Sequence, residues 1–312
     1  MLKAVNDYEQ SAERFMQYGA KVLRPQDLEN YKLTEDQVTR ILHAPSLADE
    51  MIAEMSLGDE VLGQTLPWSK TYSLFRIRKA EMTVWSGYNG HGKSLLLGFV
   101  LNHLASQGET GLLVSLEMRW KQSLRRMIRQ HTGIADPAPS LIRAYFDAAG
   151  KNVWLYDHVG AAASDHILAL CRYASEELLC QHIIIDSLMK CGMGADDYNA
   201  QKRFCDLMSS YAKDSGLHIH LVAHSRKKDN EHLQGKMDVK GTSEITDMAD
   251  NVMVVWLNKA KMLAKQDNDH SHDREADTIL IIDKQRNGEW TGHVNLWFDP
   301  KSQRFLESSG EQ

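Results

Sequence analysis

Eight consecutive residues, Gly87-Tyr88-Asn89-Gly90-His91-Gly92-Lys93-Ser94, have the spacing G-x-x-x-x-G-K-S. Glycines at these places let backbone N–H groups turn inward around an anion. Lys93 then reaches the β- and γ-oxygens of a polyphosphate, and the Ser94 hydroxyl ligates a divalent cation. The ligand that fits is a nucleoside triphosphate, ATP or another NTP, with Mg²⁺. All eight residues are candidates for nucleotide binding. An apolar run, Glu81–Trp85, precedes the loop, and Ser94–Leu104 after it has the composition of a helix whose N-terminus favours negative charge.

Phosphoryl transfer also needs a metal support, a water activator and a counter-charge for the transition state. Glu117 follows the apolar Leu112–Ser115 and is a candidate to activate water, or else a solvated acid opening the next helix. Asp186 ends His182-Ile-Ile-Ile-Asp186, a run apolar on both faces, which is the place of a metal-supporting acid; a plain turn cap is the other reading. His224 stands at the polar end of His218–Ala223, as a phosphate sensor or a structural histidine. Lys284 and Arg286 follow Thr278–Asp283. They are either an ordinary surface pair or cations supplied across a subunit boundary. Arg226, Lys236, Lys240 and Gly241 lie in a basic, glycine-punctuated stretch that suits a phosphate backbone, or is a solvated loop. Few aromatics interleave it, which favours backbone tracking over base reading.

These residues need strands to hold them. From about residue 70 onward, apolar runs alternate with helical patterns, which predicts an α/β fold with a mostly parallel central sheet. Strands are expected at Met82–Trp85, Leu112–Ser115, Val153–Tyr156, Ile183–Asp186, His218–Ala223, Val252–Leu257, Thr278–Asp283 and His293–Phe298. The last two form an antiparallel hairpin at the sheet's end, and Glu117's strand is placed beside that of the phosphate loop. Lys259–Asp277, polar and of mixed charge, reads as a mobile excursion. Residues 1–65 read as a small helical appendage and linker, and 66–312 as the catalytic domain. In the appendage Thr34-Glu-Asp-Gln37 opens a helix to His43, and Ser46-Leu-Ala-Asp49 opens one to Met55.

With 312 residues and a net charge of −6, the chain has material for one large domain plus an appendage, and coats nucleic acid only through a local stripe or channel. No apolar run approaches the ~18 residues of a membrane helix. Asp7, Glu9 and Glu13 are unlike a targeting leader, and Cys171, Cys180, Cys191 and Cys205 contain no C-x₂-C pair. The expectation is a cytoplasmic protein of a bacterial or phage-infected cell, with reduced thiols and no membrane partner.

The ordered set is more specific than any member. The phosphate loop is followed by Ser115-Leu-Glu-Met118, Ile183-Ile-Ile-Asp186, Ala223-His-Ser-Arg-Lys227, Gly241-Thr-Ser-Glu-Ile245 and Lys284-Gln-Arg-Asn-Gly288. Over roughly residues 70–305 it resembles the RecA-like motor of DnaB-like replicative helicases, most of all the phage primase-helicase and Twinkle branch. The resemblance implies a RecA-like P-loop NTPase working as an ATP-driven DNA helicase with 5′→3′ polarity in replication. It implies a homo-oligomeric ring, usually a hexamer, threaded by single-stranded DNA. Lys93 and Ser94 would hold phosphate and Mg²⁺, Glu117 would activate water, Asp186 would support the metal, and His224 would sense the γ-phosphate. Lys284 and Arg286 would reach the neighbour's ATP, residues 236–244 would hold DNA, and the helix near Ala48–Met55 would pack on the next subunit. No primase-type or zinc-ribbon module is expected here, so the chain reads as a stand-alone motor, a truncated form, or a helicase partnered by a separate primase or polymerase. The alternatives are a RecA-like DNA-dependent ATPase of recombination and a nucleotide-switched assembly module. Retention of Glu117 and Asp186 ranks the switch lower.

Overall fold

The computed structural model describes residues 32–57, 63–194, 196–225 and 243–308. The chain divides into two compact units, Met1–Gly58 and Asp59–Gln312. In the first, the Thr34 side chain accepts from the Gln37 amide while the Gln37 side chain accepts from the Thr34 amide. This capping box starts α1, Glu35–Thr39. The helix stops before His43. A 3-10 turn over Ala44–Leu47 follows, with Pro45 near its start, so Ser46 lies inside that turn instead of opening α2, Ala48–Leu57. Val38, Ile41, Leu42, Met51, Ile52 and Met55 are exposed. Helices this short and uncovered gain almost nothing from burial.

The second unit runs β1 (Met82–Ser86), α3 (Lys93–Ser106), β2 (Gly111–Ser115), α4 (Trp120–Thr132), α5 (Pro139–Ala148), β3 (Val153–Leu155), α6 (Ser164–Glu176), β4 (His182–Asp186), α7 (Tyr198–Ser215), β5 (His218–Val222), α8 (Ser243–Met248), β6 (Asn251–Leu257), α9 (Lys259–Gln266), β7 (Thr278–Gln285), β8 (Gly292–Asp299) and β9 (Arg304–Leu306). Among the described residues they form one sheet in the order β3-β2-β4-β5-β1-β6-β7-β8-β9. The ladders from β3 to β6 are parallel, and β6-β7, β7-β8 and β8-β9 are antiparallel. The expected fold class holds, with two adjustments at the sheet. β4 and β5 lie between β2 and β1, so Glu117 is not carried on a strand beside the phosphate loop's. A short β9, Arg304–Leu306, extends the hairpin; three residues are too few to show a period in sequence.

Alternation along the strands makes two cores. Leu112, Val114, Ile183, Ile185, Ile219 and Leu221 face α6 and α7, where Cys171, Phe204 and Met208 are buried. Leu113, Ile184, Val222, Met253 and Val255 face the other way, toward Leu96, Val100, Leu101 and Leu104 of α3. Each of these α3 side chains removed from water contributes roughly 1.5–3 kcal/mol, which is what holds the helix behind the phosphate loop in place. All four cysteines are free and buried. The stretch Lys259–Asp277 is not the polar excursion its composition suggests. Asn258 caps α9 by accepting from the Lys261 amide at 3.0 Å, and Lys261 is buried with its ammonium 3.0 Å from Asp277. Asn258 also donates to Glu275, and the Phe298 amide to Asp277; a charge is buried when it is paired, and pairing is not readable from composition.

Candidate nucleotide site and a distant pair of cations

The phosphate loop needs its glycines. Gly87 has φ +148°, and a Cβ there would lie 2.4 Å from the Val255 carbonyl oxygen. Gly92 caps α3 in the left-handed region at φ 83°. Lys93 is buried, and its ammonium donates to the carbonyls of Gly87 at 2.7 Å and Tyr88 at 2.9 Å. Burial pulls the ammonium down to about 8, opposed by the nearby charges of Asp186 and Glu117. His91 is turned toward β6, where its Nδ1 accepts from the Leu257 amide at 3.1 Å and its ring meets Tyr88 edge-on. That imidazole fastens the loop to the sheet.

The acids and the histidine converge although their strands are not all neighbours of β1. Asp186 ends β4 and hydrogen-bonds Ser94; burial raises its carboxyl, and that bond and Lys93 partly offset the rise. Beyond the end of β2, the Leu116 amide donates to the Asp186 carbonyl at 2.8 Å, which aims Glu117 at the tip of β4. There Ser187 donates to Glu117 Oε1 at 3.1 Å and lies 3.3 Å from His224 Nε2. The His224 and Glu117 side chains are themselves 3.7 Å apart. His224 is fixed from both sides: the Ala223 amide donates to the Trp85 carbonyl and the Ser225 amide to the Gly87 carbonyl. The Ser225 and Ser86 hydroxyls lie 3.0 Å apart. Ser187 and Ser225 are contacts of this cluster that sequence reasoning passed over. The signal available was their place just beyond two apolar strands, Ser187 directly after β4 and Ser225 three residues after the end of β5.

A hydroxyl and a buried carboxylate, Ser94 and Asp186, make a hard-oxygen pair, and two acids face one lysine. That donor set fits a small divalent cation that takes one or two protein oxygens and completes its shell with phosphate and water. Among the described residues no group of three or more His, Cys, Asp or Glu side chains is placed to hold a metal ion.

Lys284 and Arg286 are elsewhere. β7 runs antiparallel to β6, so Gln285 pairs with Asn251 at the edge where β1 and β6 begin. Lys284, opposite Val252, stands about 10 Å below the level of Val255 and Gly87 at a strand rise of about 3.3 Å per residue. These cations do not face their own phosphate loop. Lys284 donates to the carbonyls of Thr246, Asp247 and Ala249 at 2.9, 2.9 and 2.7 Å. Arg286 Nε lies 3.2 Å from the buried Asp250 carboxylate. The candidate DNA contacts Arg226, Lys236, Lys240 and Gly241 lie outside the described residues. A further groove, about 620 Å³, lies between α4 and α5, lined by Trp120, Leu124, Ile128 and Ile142 and edged by Arg125 and Arg129.

Comparison with known proteins places this arrangement. The model of the DnaB-like helicase C-terminal domain matches residues 74–307. The solved ATPase domain of a phage helicase superposes with a TM-score of 0.70 at 14% identity, covering 85% of this chain and 98% of that one. A DnaB-like replicative helicase, solved with attention to its interactions with primase, superposes with a TM-score of 0.70 at 15% identity, covering 97% of this chain and 77% of that one. At such identities the likeness to the two structures is one of fold. No helix among the described residues is long and apolar enough to cross a membrane.

Proposed function

The chain belongs to the DnaB-like helicase C-terminal domain family, whose members are ATP-hydrolysing DNA helicases, and on that premise we propose which of its residues do the work. The observation that carries the reading is the meeting of Lys93, Ser94, Asp186, Glu117, Ser187 and His224 at one edge of the sheet. Lys93 and the loop amides bind the triphosphate. Ser94 and Asp186 hold Mg²⁺, which when bound neutralises charge on the β- and γ-oxygens. Glu117 takes the proton of the attacking water, held in place by Ser187. His224, within reach of both, registers the γ-phosphate and is joined through Ser225 to the start of the loop.

Among the described residues the cations beside this half-site are Lys93 and Arg126, the latter lining a hollow with Ser94 and Asp186, and Lys284 and Arg286 sit at the opposite edge of the sheet. A neighbouring copy brings them to it, which makes the working form a ring, a hexamer in the family pattern. Single-stranded DNA threads the ring with 5′→3′ polarity, held by Arg226, Lys236, Lys240 and Gly241. The first unit serves as an arm. α2 carries exposed Met51, Ile52 and Met55 beside Asp49, Glu50 and Glu54, and the α4/α5 groove of the next copy offers apolar walls edged by Lys121 and Arg125, with Arg129 paired to Asp136. Replication is the proposed setting, with a separate primase as partner.

Hydrolysis with and without single-stranded DNA tests the reading, alongside mass in solution with an ATP analogue. Strong stimulation by DNA, abolished in Lys93→Ala, and a ring-sized mass are expected. A chain that stays monomeric under all conditions, or hydrolysis indifferent to DNA, would overturn it.

A further inference from the structure

The two cations at the far edge of the sheet are gripping something. β7 carries a bulge: Met253 pairs with Ile282 but Val252 pairs with Lys284, leaving Asp283 extra. Leu280 and Ile282 point into the core under α3. Strict alternation would send Lys284 to the same face. One inserted residue turns it over, onto the face where Ile245, Ala249 and Val252 are packed. There its ammonium commits three donors to the last carbonyls of α8 and the residue beyond, and an ammonium has three protons to give. Arg286 reinforces the grip: Nε meets Asp250 and a terminal nitrogen donates to the Asp247 carbonyl at 3.3 Å. Asp250 does not move to meet it. It is buried, its carboxylate accepts from the Met82 amide at 2.9 Å, and its own amide donates to the Met82 carbonyl at 2.9 Å.

This grip supports α8. A six-residue helix has few bonds of its own. Its Ile245 carbonyl accepts from the Ala249 amide and its Met248 carbonyl from Ser209, while Lys284 supplies partners for Thr246 and Asp247 and puts positive charge at the end of the helix dipole that favours it. A phosphate oxygen cannot receive a proton from Lys284 unless a carbonyl gives one up.

We propose, resting on the trans role given to Lys284 and Arg286 above, that the two cations are shared between the C-terminal end of their own α8 and the triphosphate bound to the neighbouring copy, with Asp250 as the positioning residue that sets the balance for Arg286. Capture of the cations by the neighbour's phosphate loosens α8. The coupling is reciprocal by linkage: whatever holds α8 in place withholds the cations from the neighbour's site.

Amide hydrogen exchange of residues 243–250 in the assembled protein tests this, measured with and without a non-hydrolysable ATP analogue. Exchange is expected to rise by about fivefold or more on saturation. Unchanged or slower exchange would overturn the proposal. Asp250→Asn is the second arm: it keeps an acceptor for the Met82 amide and removes the charge that holds Arg286. Hydrolysis in the absence of DNA is expected to rise by about fivefold, with a smaller further gain on adding DNA. A folded variant with unaltered basal rate and unaltered stimulation counts against the proposal, and if the variant does not fold, the wild-type exchange measurement decides alone. The trans role has its own test in mixed assemblies with Arg286→Ala. Failure to poison hydrolysis there removes the trans role; poisoning with unchanged exchange at 243–250 removes only the sharing of cations.

Discussion

One sheet carries charge at both edges and treats it differently at each. At the edge where β1, β4 and β5 end, Lys93, Asp186, Glu117 and His224 are drawn into a single network, linked by Ser94 and Ser187. At the edge where β1 and β6 begin, Lys284 and Arg286 are held by carbonyls and by Asp250, and Arg286 remains half-exposed. Among its described residues the first edge has two acids, a metal-fitting pair, the buried Lys93 and, lining a hollow with Ser94 and Asp186, Arg126. The second has cations and no phosphate loop. On the proposed reading each edge needs the other, and their separation along the strands keeps the cations of one chain from its own phosphate loop.

The sharpest way to break that contrast is to remove the cation. Arg286→Ala is expected to lower hydrolysis by about 10³–10⁵-fold, the range for a transition-state arginine. In mixtures with wild type the rate should fall more steeply than the wild-type fraction. A linear fall would mean each copy works alone and would undo the comparison. Next comes Glu117→Gln, expected to lower the turnover number by about 10²–10⁴-fold, the range for a positioned base, with ATP binding retained. Unchanged hydrolysis would return Glu117 to the plain reading of a solvated acid opening α4.

The first edge was far more legible in the sequence than the second. The phosphate loop, Glu117, Asp186 and His224 each follow an apolar run, and a strand with both faces buried announces itself whatever its neighbours. The order of strands did not, because Glu117 and Lys93 are brought together across β4 and β5 by long-range packing that no local period encodes. At the second edge Thr278–Asp283 was visible as a strand, but the strand runs on to Gln285 through a bulge at Asp283. A bulge is a matter of pairing, and nothing in Ile-Ile-Asp-Lys-Gln distinguishes a bulged residue from an ordinary one. Lys261 hid in the same way, as a charge buried by a partner sixteen residues on.

Ser187 sharpens the first edge from within. It touches both Glu117 and His224, so its loss should slacken the base without removing it. Ser187→Ala is expected to lower the turnover number by about tenfold, the equivalent of one hydrogen bond to a charged group. The KM for ATP should change little, and Ser187→Thr should restore most of the rate. A change in KM alone would make Ser187 part of the binding surface and not a support for Glu117.

The smallest effect separates two kinds of histidine on one strand. His224, past the tip of β5, lies against Glu117 and Ser187, whereas His218 and His220 within β5 are fully buried beside His182. Trp85 donates to His220 Nδ1 at 3.2 Å, His220 Nε2 lies 3.4 Å from His182 Nδ1, and His182 Nε2 lies 3.5 Å from Glu109. Within this run of contacts, burial favours the neutral form of His220, and of His218 beside it. Burial pushes His218 down to about 3 and His220 well below its ordinary value, and the neighbouring imidazoles add to the push. Because these folded values lie below the unfolded value of about 6.5, the unfolded chain binds the extra protons. The stability the two rings contribute is complete above about pH 6.5 and drains away as pH falls toward about 3. Between about pH 7 and 5.5 each ring should lose about 1 kcal/mol. Urea unfolding at the two pH values measures it, and His220→Gln, which keeps a donor and an acceptor, should remove about half of the pH dependence. A wild-type stability that is flat over this range would mean that the buried rings are already charged, and with them the contrast between the strand's interior and its tip would go.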